Sequence, residues 1–226
     1  MLIRGVGVDL DDTLFDQQEW LHGAWIAVAE AAPGNVSKTA LLDALHTIAA
    51  HGSDAGRIID RALESVGGSL SDVPALVATF RAYSPTALEP FPGVVEGIRT
   101  LRTRMRVALV TDGDPTIQRS KLTALGLRRE FDAIVLSDRL GREHRKPSAA
   151  PFLAAADAIG VDPSACVFIG DRPDKDVAGA EAAGYAGCVR VLTGEYRDTP
   201  SRPCLATVTN FEAALEWLDV GRRGTR

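Results

Sequence analysis

Two rhythms of apolar residues divide the chain. Residues 3–9 (IRGVGVD) form a short apolar run that ends in acids, which predicts a buried strand. Residues 18–88 are rich in Ala and Leu at helical spacing, as in Trp25-Ile26-Val28-Ala29 and Leu41-Leu42-Leu45-Ile48. Pro33-Gly34, Gly52, Gly67-Gly68 and Pro74 interrupt them, so three or four helices and no strand are expected there.

From Phe91 onward the two periods alternate. Pro92-Gly93 opens a helix to about Leu101, and residues 106–111 (RVALVT) read as a strand. Asp114 caps a helix with Pro115 in its first turn. Residues 133–136 make a strand, a polar loop follows, and Ser148 begins a helix to about Ile159. Then come strand 166–170, helix Asp176–Ala183, strand 187–192 and helix Asn210–Leu218. Such alternation predicts an α/β fold, a Rossmann-like parallel sheet with helices on both faces. Residues 1–16 and 90–220 are expected to form this core, residues 17–89 an inserted helical domain, and residues 221–226 (GRRGTR) a disordered tail.

The length of 226 residues suits one core domain plus an insertion. A net charge of -5 argues against a surface for nucleic acid. The start MLIRGVGVDLDD lacks the apolar run of a signal peptide, and no stretch reaches the length of a membrane span. The expectation is a cytoplasmic protein without membrane partners, a monomer or homodimer. Cys166, Cys188 and Cys204 form no CxxC pair and no zinc pattern with the four histidines, and read as reduced structural residues.

Ligands of parallel sheets bind beyond the carboxyl ends of the strands. The segments there are Asp9-Leu10-Asp11-Asp12-Thr13, Thr111-Asp112-Gly113 and Asp171 with its loop, with Lys146-Pro147 just before the helix that leads into the fourth core strand. Acids at i and i+2 of a strand end point to one side. Three carboxylates within four residues repel unless a cation sits among them, and magnesium needs only one or two plus a substrate phosphate. An Asp can also attack phosphorus, while a second acid protonates the leaving oxygen. The same acids also suit a solvated acidic loop, whereas a calcium loop fails, because Leu14 and Phe15 stand where it needs Gly and oxygen ligands.

Thr111 with the N–H groups of Asp112 and Gly113 suits an anion site, and equally an ordinary strand-to-helix turn. Lys146 offers compact positive charge for a phosphate, or is a surface residue. His144 and Arg145 could contact substrate but look more like a solvated loop. Asp171 would complete a metal site, and Asp176 reads as a metal-site acid, a helix N-cap, or both. It is the combination, in this order after successive strands, that carries the argument.

The sequence resembles the haloacid dehalogenase superfamily from Val8 to about Val191. The DxDxT motif matches Asp9-Leu10-Asp11-Asp12-Thr13, the hydroxyl motif Thr111, the lysine motif Lys146 in KPSAAPF, and GDxxxxD matches Gly170, Asp171 and Asp176. The resemblance implies a magnesium-dependent phosphatase acting on a small phosphorylated metabolite, a sugar phosphate or nucleoside monophosphate. Asp9 would be the nucleophile and Asp11 the acid and base. Magnesium would be held by Asp9, the Asp11 carbonyl and Asp171, with Asp176 reaching it through water. Thr111, Asp112, Gly113 and Lys146 would hold the phosphoryl group.

Asp11 sides with the phosphatases, since haloacid dehalogenases lack this second acid and need no metal. Gly is commoner than Asp at position 12, although Asp is familiar there in branches with a helical cap. Residues 18–88 occupy the place of a C1 cap, a mobile lid hinged at Phe15-Asp16 and around Pro90. Trp20, Trp25, Phe80 and Tyr83 fit cap core better than substrate lining at their helical spacing. Arg172, unusual in its loop, reads as an ion pair with Asp174 in preference to a substrate contact. Three other readings share these residues: a phosphomutase, a receiver-type signalling domain, and an idle binding module. A receiver's acceptor would be Asp138, after the third strand, and receivers lack a long helical insertion.

Overall fold

The computed structural model describes residues 2–52 and 55–223. The chain divides into two compact units, Met1–Gln17 with Ala87–Arg226, and Gln18–Thr86.

The first unit is built on a parallel sheet of six strands among the described residues: β1 (Gly5–Val8), β2 (Arg106–Thr111), β3 (Ala133–Leu136), β4 (Cys166–Gly170), β5 (Gly187–Val191) and β6 (Ala206–Val208), in the order β3-β2-β1-β4-β5-β6. The central strands are continuously apolar because both of their faces are covered. Ala108, Val110, Cys166 and Phe168 face a cluster with Phe152, Ala155, Ala180 and Tyr185. Their alternates Val107, Leu109, Val167 and Ile169 are as fully buried. Phe152 and Phe168 meet edge to face with centroids 4.8 Å apart.

The helices of this unit are α5 (Val94–Arg102), α6 (Pro115–Ala124), α7 (Ala149–Ala158), α8 (Ala178–Ala182) and α9 (Phe211–Arg223). Of these, α5 leads into β2 and the others come after strands of the sheet. Asp114 caps α6 by accepting from Thr116 N at 2.8 Å, and Ser148 caps α7 by accepting from Ala150 N. Gly97 of α5 lets α9 approach closely, since a methyl there would overlap Leu215.

After β1 the chain makes a tight turn and an isolated bridge between Phe15 and Pro90, and Phe91 N–H donates to the Leu14 carbonyl at 2.8 Å. The points where the core chain leaves at Gln17 and resumes at Ala87 are thus tied by backbone pairing just inside them.

The second unit carries α1 (Gln17–Glu30, from its second residue), α2 (Lys38–Ala49), α3 (Ile58–Ser65) and α4 (Val73–Ala82). Trp20 lies edge-on to Phe80 at 5.2 Å and to Tyr83 at 5.6 Å, and Trp25 stacks on Phe80 at 4.8 Å. The four aromatics therefore bind α1 to α4 and its C-terminal end. No helix among the described residues is long and apolar enough to cross a membrane.

Four expectations need correction. The first strand is Gly5–Val8, shorter than 3–9, and the short edge strand β6 was not foreseen. The helix expected at 176–183 begins earlier, as a π-turn over Pro173–Val177, and continues as α8. The last helix runs through Gly221 to Arg223, so residues 221–223 are helical; the remainder of the expected tail, 224–226, lies outside the described residues.

Candidate active site

The order of strands puts β1 and β4 side by side, with Val8 opposite Ile169 and Asp9 N–H donating to the Ile169 carbonyl at 2.9 Å. The residues that follow these two strands, Asp9 and Asp171, therefore emerge as neighbours at the carboxyl edge. Asp176 joins them because the turn after β4 is wound wide. Both Asp176 N–H and Val177 N–H donate to the Arg172 carbonyl, and Asp176 Oδ2 accepts from Arg172 N–H at 2.9 Å. This turn swings Asp176 back over Gly170, where a methyl would overlap its carboxylate. Asp176 is not a helix cap; Arg172 occupies that position in the turn.

Lys146 closes the group. Its ammonium donates to Asp9 Oδ1 at 2.6 Å and to Asp176 Oδ1 at 2.7 Å, and all three residues are buried. Burial alone would lower the Lys146 pKa, but the carboxylates of Asp176 and Asp9 outweigh it and raise it. Burial pushes Asp9 up to about 7, with Asp176 and Asp11 adding to the rise against Lys146. Asp171 is raised well above the carboxylate range by burial, then by Asp176 and Asp9. Three acids face one ammonium, so with all three ionised the cluster carries an excess of negative charge, and the raised pKa values of Asp9 and Asp171 reflect burial first and then this excess.

A divalent cation fits that excess. Ligand atoms of Asp9, Asp171 and Asp176 lie within 4.8 Å of one another. Asp171 Oδ1 is buried and has no hydrogen-bond partner among the described residues. An all-carboxylate donor set with an orphaned oxygen suits a hard ion such as magnesium.

The remaining predicted residues gather on the same edge. Asp112 Oδ1 accepts from Ser137 Oγ at 2.6 Å and from Lys146 N–H at 3.1 Å, tying the loop after β2 to the lysine loop. Asp138 holds the same two loops: it accepts from both Nε and Nη2 of Arg145 at 2.5 and 2.6 Å and from Gly113 N–H at 3.4 Å. Arg145 is thus a built ion pair and not a solvated residue, and Gly113 N–H, expected to face a phosphoryl group, points to Asp138 here. Gly113 has φ of +118°, which a side chain would strain.

Asp12 also has positive φ, +56°, which explains the family's usual glycine there. Asp is tolerated because its carboxylate accepts from Gln17 N–H at 2.9 Å and Glu195 N–H at 3.3 Å, while Thr193 Oγ1 donates to its carbonyl. Arg172 pairs with Asp174 at 3.2 Å and lies 3.9 Å over the Tyr196 ring.

Three residues here escaped the sequence reading. Arg190, fully buried on β5, donates through Nε to the Asp171 carbonyl at 3.0 Å and to the carbonyls of Thr199 and Tyr196. Gln118 and Lys121 of α6 reach the Asp11 carboxylate. The last two had a signal: with Leu122 and Leu125 they occupy the i, i+3, i+4, i+7 stripe of α6, where polar residues need a buried partner.

The profile of the family described as "Hydrolase: haloacid dehalogenase-like hydrolase" matches residues 3–184. The chain is 32% identical over 210 residues to the "Glyceraldehyde 3-phosphate phosphatase" of Methanopyrus kandleri, covering 89% of each. It is 32% identical over 193 residues to the "Fructose-1-phosphate phosphatase YqaB" of Escherichia coli, covering 83% of this chain and 97% of that one. Among solved structures, a 2-haloacid dehalogenase from Pseudomonas syringae superposes with a TM-score of 0.65 at 26% identity, over 97% of this chain and 99% of that one. Four motifs on one sheet edge and a profile spanning most of the sequence agree: the chain belongs to the haloacid dehalogenase-like hydrolases.

Proposed function

We propose that the protein is a phosphatase that hydrolyses a small phosphate monoester through an aspartyl-phosphate on Asp9. The observation that carries this reading is the buried cluster of Asp9, Asp171 and Asp176 around Lys146 at the carboxyl edge of β1 and β4. Asp9 Oδ attacks phosphorus as the ester oxygen leaves with a proton from Asp11. Asp11 then takes a proton from water, whose oxygen attacks the same phosphorus and frees Asp9. Lys146 and Thr111 hold the phosphoryl oxygens. Magnesium, held by Asp9, the Asp11 carbonyl and Asp171 with Asp176 behind them, supplies positive charge against the phosphoryl oxygens when bound.

Two relatives carry the names of phosphatases of glyceraldehyde 3-phosphate and fructose 1-phosphate, so small phosphorylated sugars head the substrate panel, followed by nucleoside monophosphates. The helical unit Gln18–Thr86, inserted between β1 and β2 in sequence, is read as a C1 cap that selects the leaving group. The reading places the enzyme in the cytoplasm. A 2-haloacid dehalogenase is disfavoured by Asp11, which that chemistry does not use. A phosphomutase would use the same nucleophile and is separated by its product.

Release of inorganic phosphate from the panel with magnesium tests the reading. Asp9→Asn should abolish turnover and Asp11→Asn should slow it severely. Full turnover by Asp9→Asn overturns the chemistry, and an isomerised sugar phosphate in place of free phosphate identifies a mutase.

A further inference from the structure

The Asp11 carboxylate is held on both oxygens by a single helix. Lys121 Nζ donates to Oδ1 at 2.6 Å, and Gln118 Nε2 donates to Oδ2 at 2.8 Å. Gln118 Nε2 also reaches Thr111 Oγ1 at 2.5 Å. A carboxylate only accepts, so the amide must turn its NH2 this way, and its two protons serve Asp11 and Thr111 together. Both holders are buried, at 2% and 4% exposure, which for Gln and Lys requires dedicated partners. They lie three residues apart, hence on one face of α6. Because α6 follows β2 directly, the strand that carries Thr111 also carries this clamp.

We propose that Gln118 and Lys121 are positioning residues that fix the Asp11 carboxylate for its two proton transfers. The inference rests on the role given to Asp11 above. A carboxylate on a loop after a strand can rotate about two side-chain bonds. Clamping both oxygens removes that freedom, and proton transfer depends steeply on such geometry. Neither residue touches phosphorus in this scheme; both act through Asp11.

Leaving-group dependence separates this role from a merely structural one. p-Nitrophenolate departs without a proton, so the first half-reaction with p-nitrophenyl phosphate does not need Asp11, whereas hydrolysis of the phosphoenzyme does. For Lys121→Met the burst of p-nitrophenolate should persist within about threefold, while the steady-state rate falls by roughly 10- to 100-fold and phosphoenzyme accumulates. With an alkyl phosphate the burst itself should disappear. Asp11→Asn should show the same pattern, and Asp11→Asn with Lys121→Met should be no slower than Asp11→Asn alone. Lys121→Arg should recover most of the steady-state rate, and Gln118→Met should reproduce the pattern more weakly; circular dichroism confirms folding of each.

If Lys121→Met and Gln118→Met retain full turnover of the alkyl phosphate, or if the Lys121→Met loss multiplies with that of Asp11→Asn, the clamp has no positioning role. If Asp11→Asn itself lacks the leaving-group pattern, it is the role of Asp11 that fails. The two failures are therefore distinct.

Discussion

Lys146 Nζ stands 2.6 Å from Asp9 Oδ1, with 3% of the lysine side chain and 7% of the aspartate side chain exposed. A charge pair this deep is stabilising only while both members remain. Lys146→Met should therefore destabilise the fold by about 3–5 kcal/mol at neutral pH, because Asp9 and Asp176 lose their ammonium. Turnover should fall by about 10²–10³-fold with the loss of the charge proposed to hold the phosphoryl group. Urea unfolding and phosphate release measure the two effects, and unchanged stability would show the pair to be dispensable.

Magnesium should stabilise the protein through the orphaned oxygen of Asp171. At a hundred times its dissociation constant a ligand adds about 2.7 kcal/mol, visible as a raised unfolding temperature that a chelator reverses. Asp171→Asn should lose most of that shift. Calorimetric scans with and without magnesium decide it, and a shift retained in Asp171→Asn would place the ion elsewhere.

Arg190 should be irreplaceable by lysine. Its guanidinium spreads donors to the carbonyls of Asp171, Tyr196 and Thr199 and to Ser201 Oγ, directions one ammonium cannot match. Arg190→Lys should cost roughly 1–3 kcal/mol, the usual range for buried acceptors left without donors. Magnesium affinity should weaken with it, since the Asp171 backbone is freed. A variant with normal stability and normal magnesium binding would contradict this.

The Asp138–Arg145 pair predicts a pH signature. The Arg145 side chain holds the Asp138 carboxyl below the usual range, against the opposing effect of burial. A depressed folded pKa adds stability above the unfolded value of about 3.9, and that stability is lost as pH falls through the folded value. Arg145→Gln should therefore be about 1 kcal/mol less stable at pH 7, with the gap from wild type closing as pH falls through the lowered folded pKa of Asp138. A gap constant with pH would assign the loss to packing.

Strands β2 and β4 were legible residue by residue because a strand buried on both faces is an unbroken apolar run, and the partly buried edge strand β3 was legible from its apolar run Ala-Ile-Val-Leu alone. The edge strand β6, only Ala-Thr-Val, carries no period to read. The π-turn was hidden for another reason. It is set by Asp176 folding back toward Lys146, a contact between residues 30 apart, whereas local signals at Pro173 and Asp176 suggest only a helix start. Gly221 looked like the start of a tail, yet the helix continues through it. The proposed site residues stand in short motifs that a linear reading can pick out. Gln118, Lys121 and Arg190 did not, since each serves a motif residue from elsewhere in the chain, and only the fold brings them together.

The seam between Leu14 and Phe91 bears on how such a protein can change. The polypeptide departs from the core and rejoins it through a single backbone bond's reach. Whatever is spliced in at that doorway can be lengthened, traded or remodelled without rethreading the sheet or disturbing the carboxylates beyond it. On the proposed reading, in which the inserted unit selects the leaving group, selectivity and chemistry would then be inherited separately, one module drifting toward new metabolites while the other stays as it was.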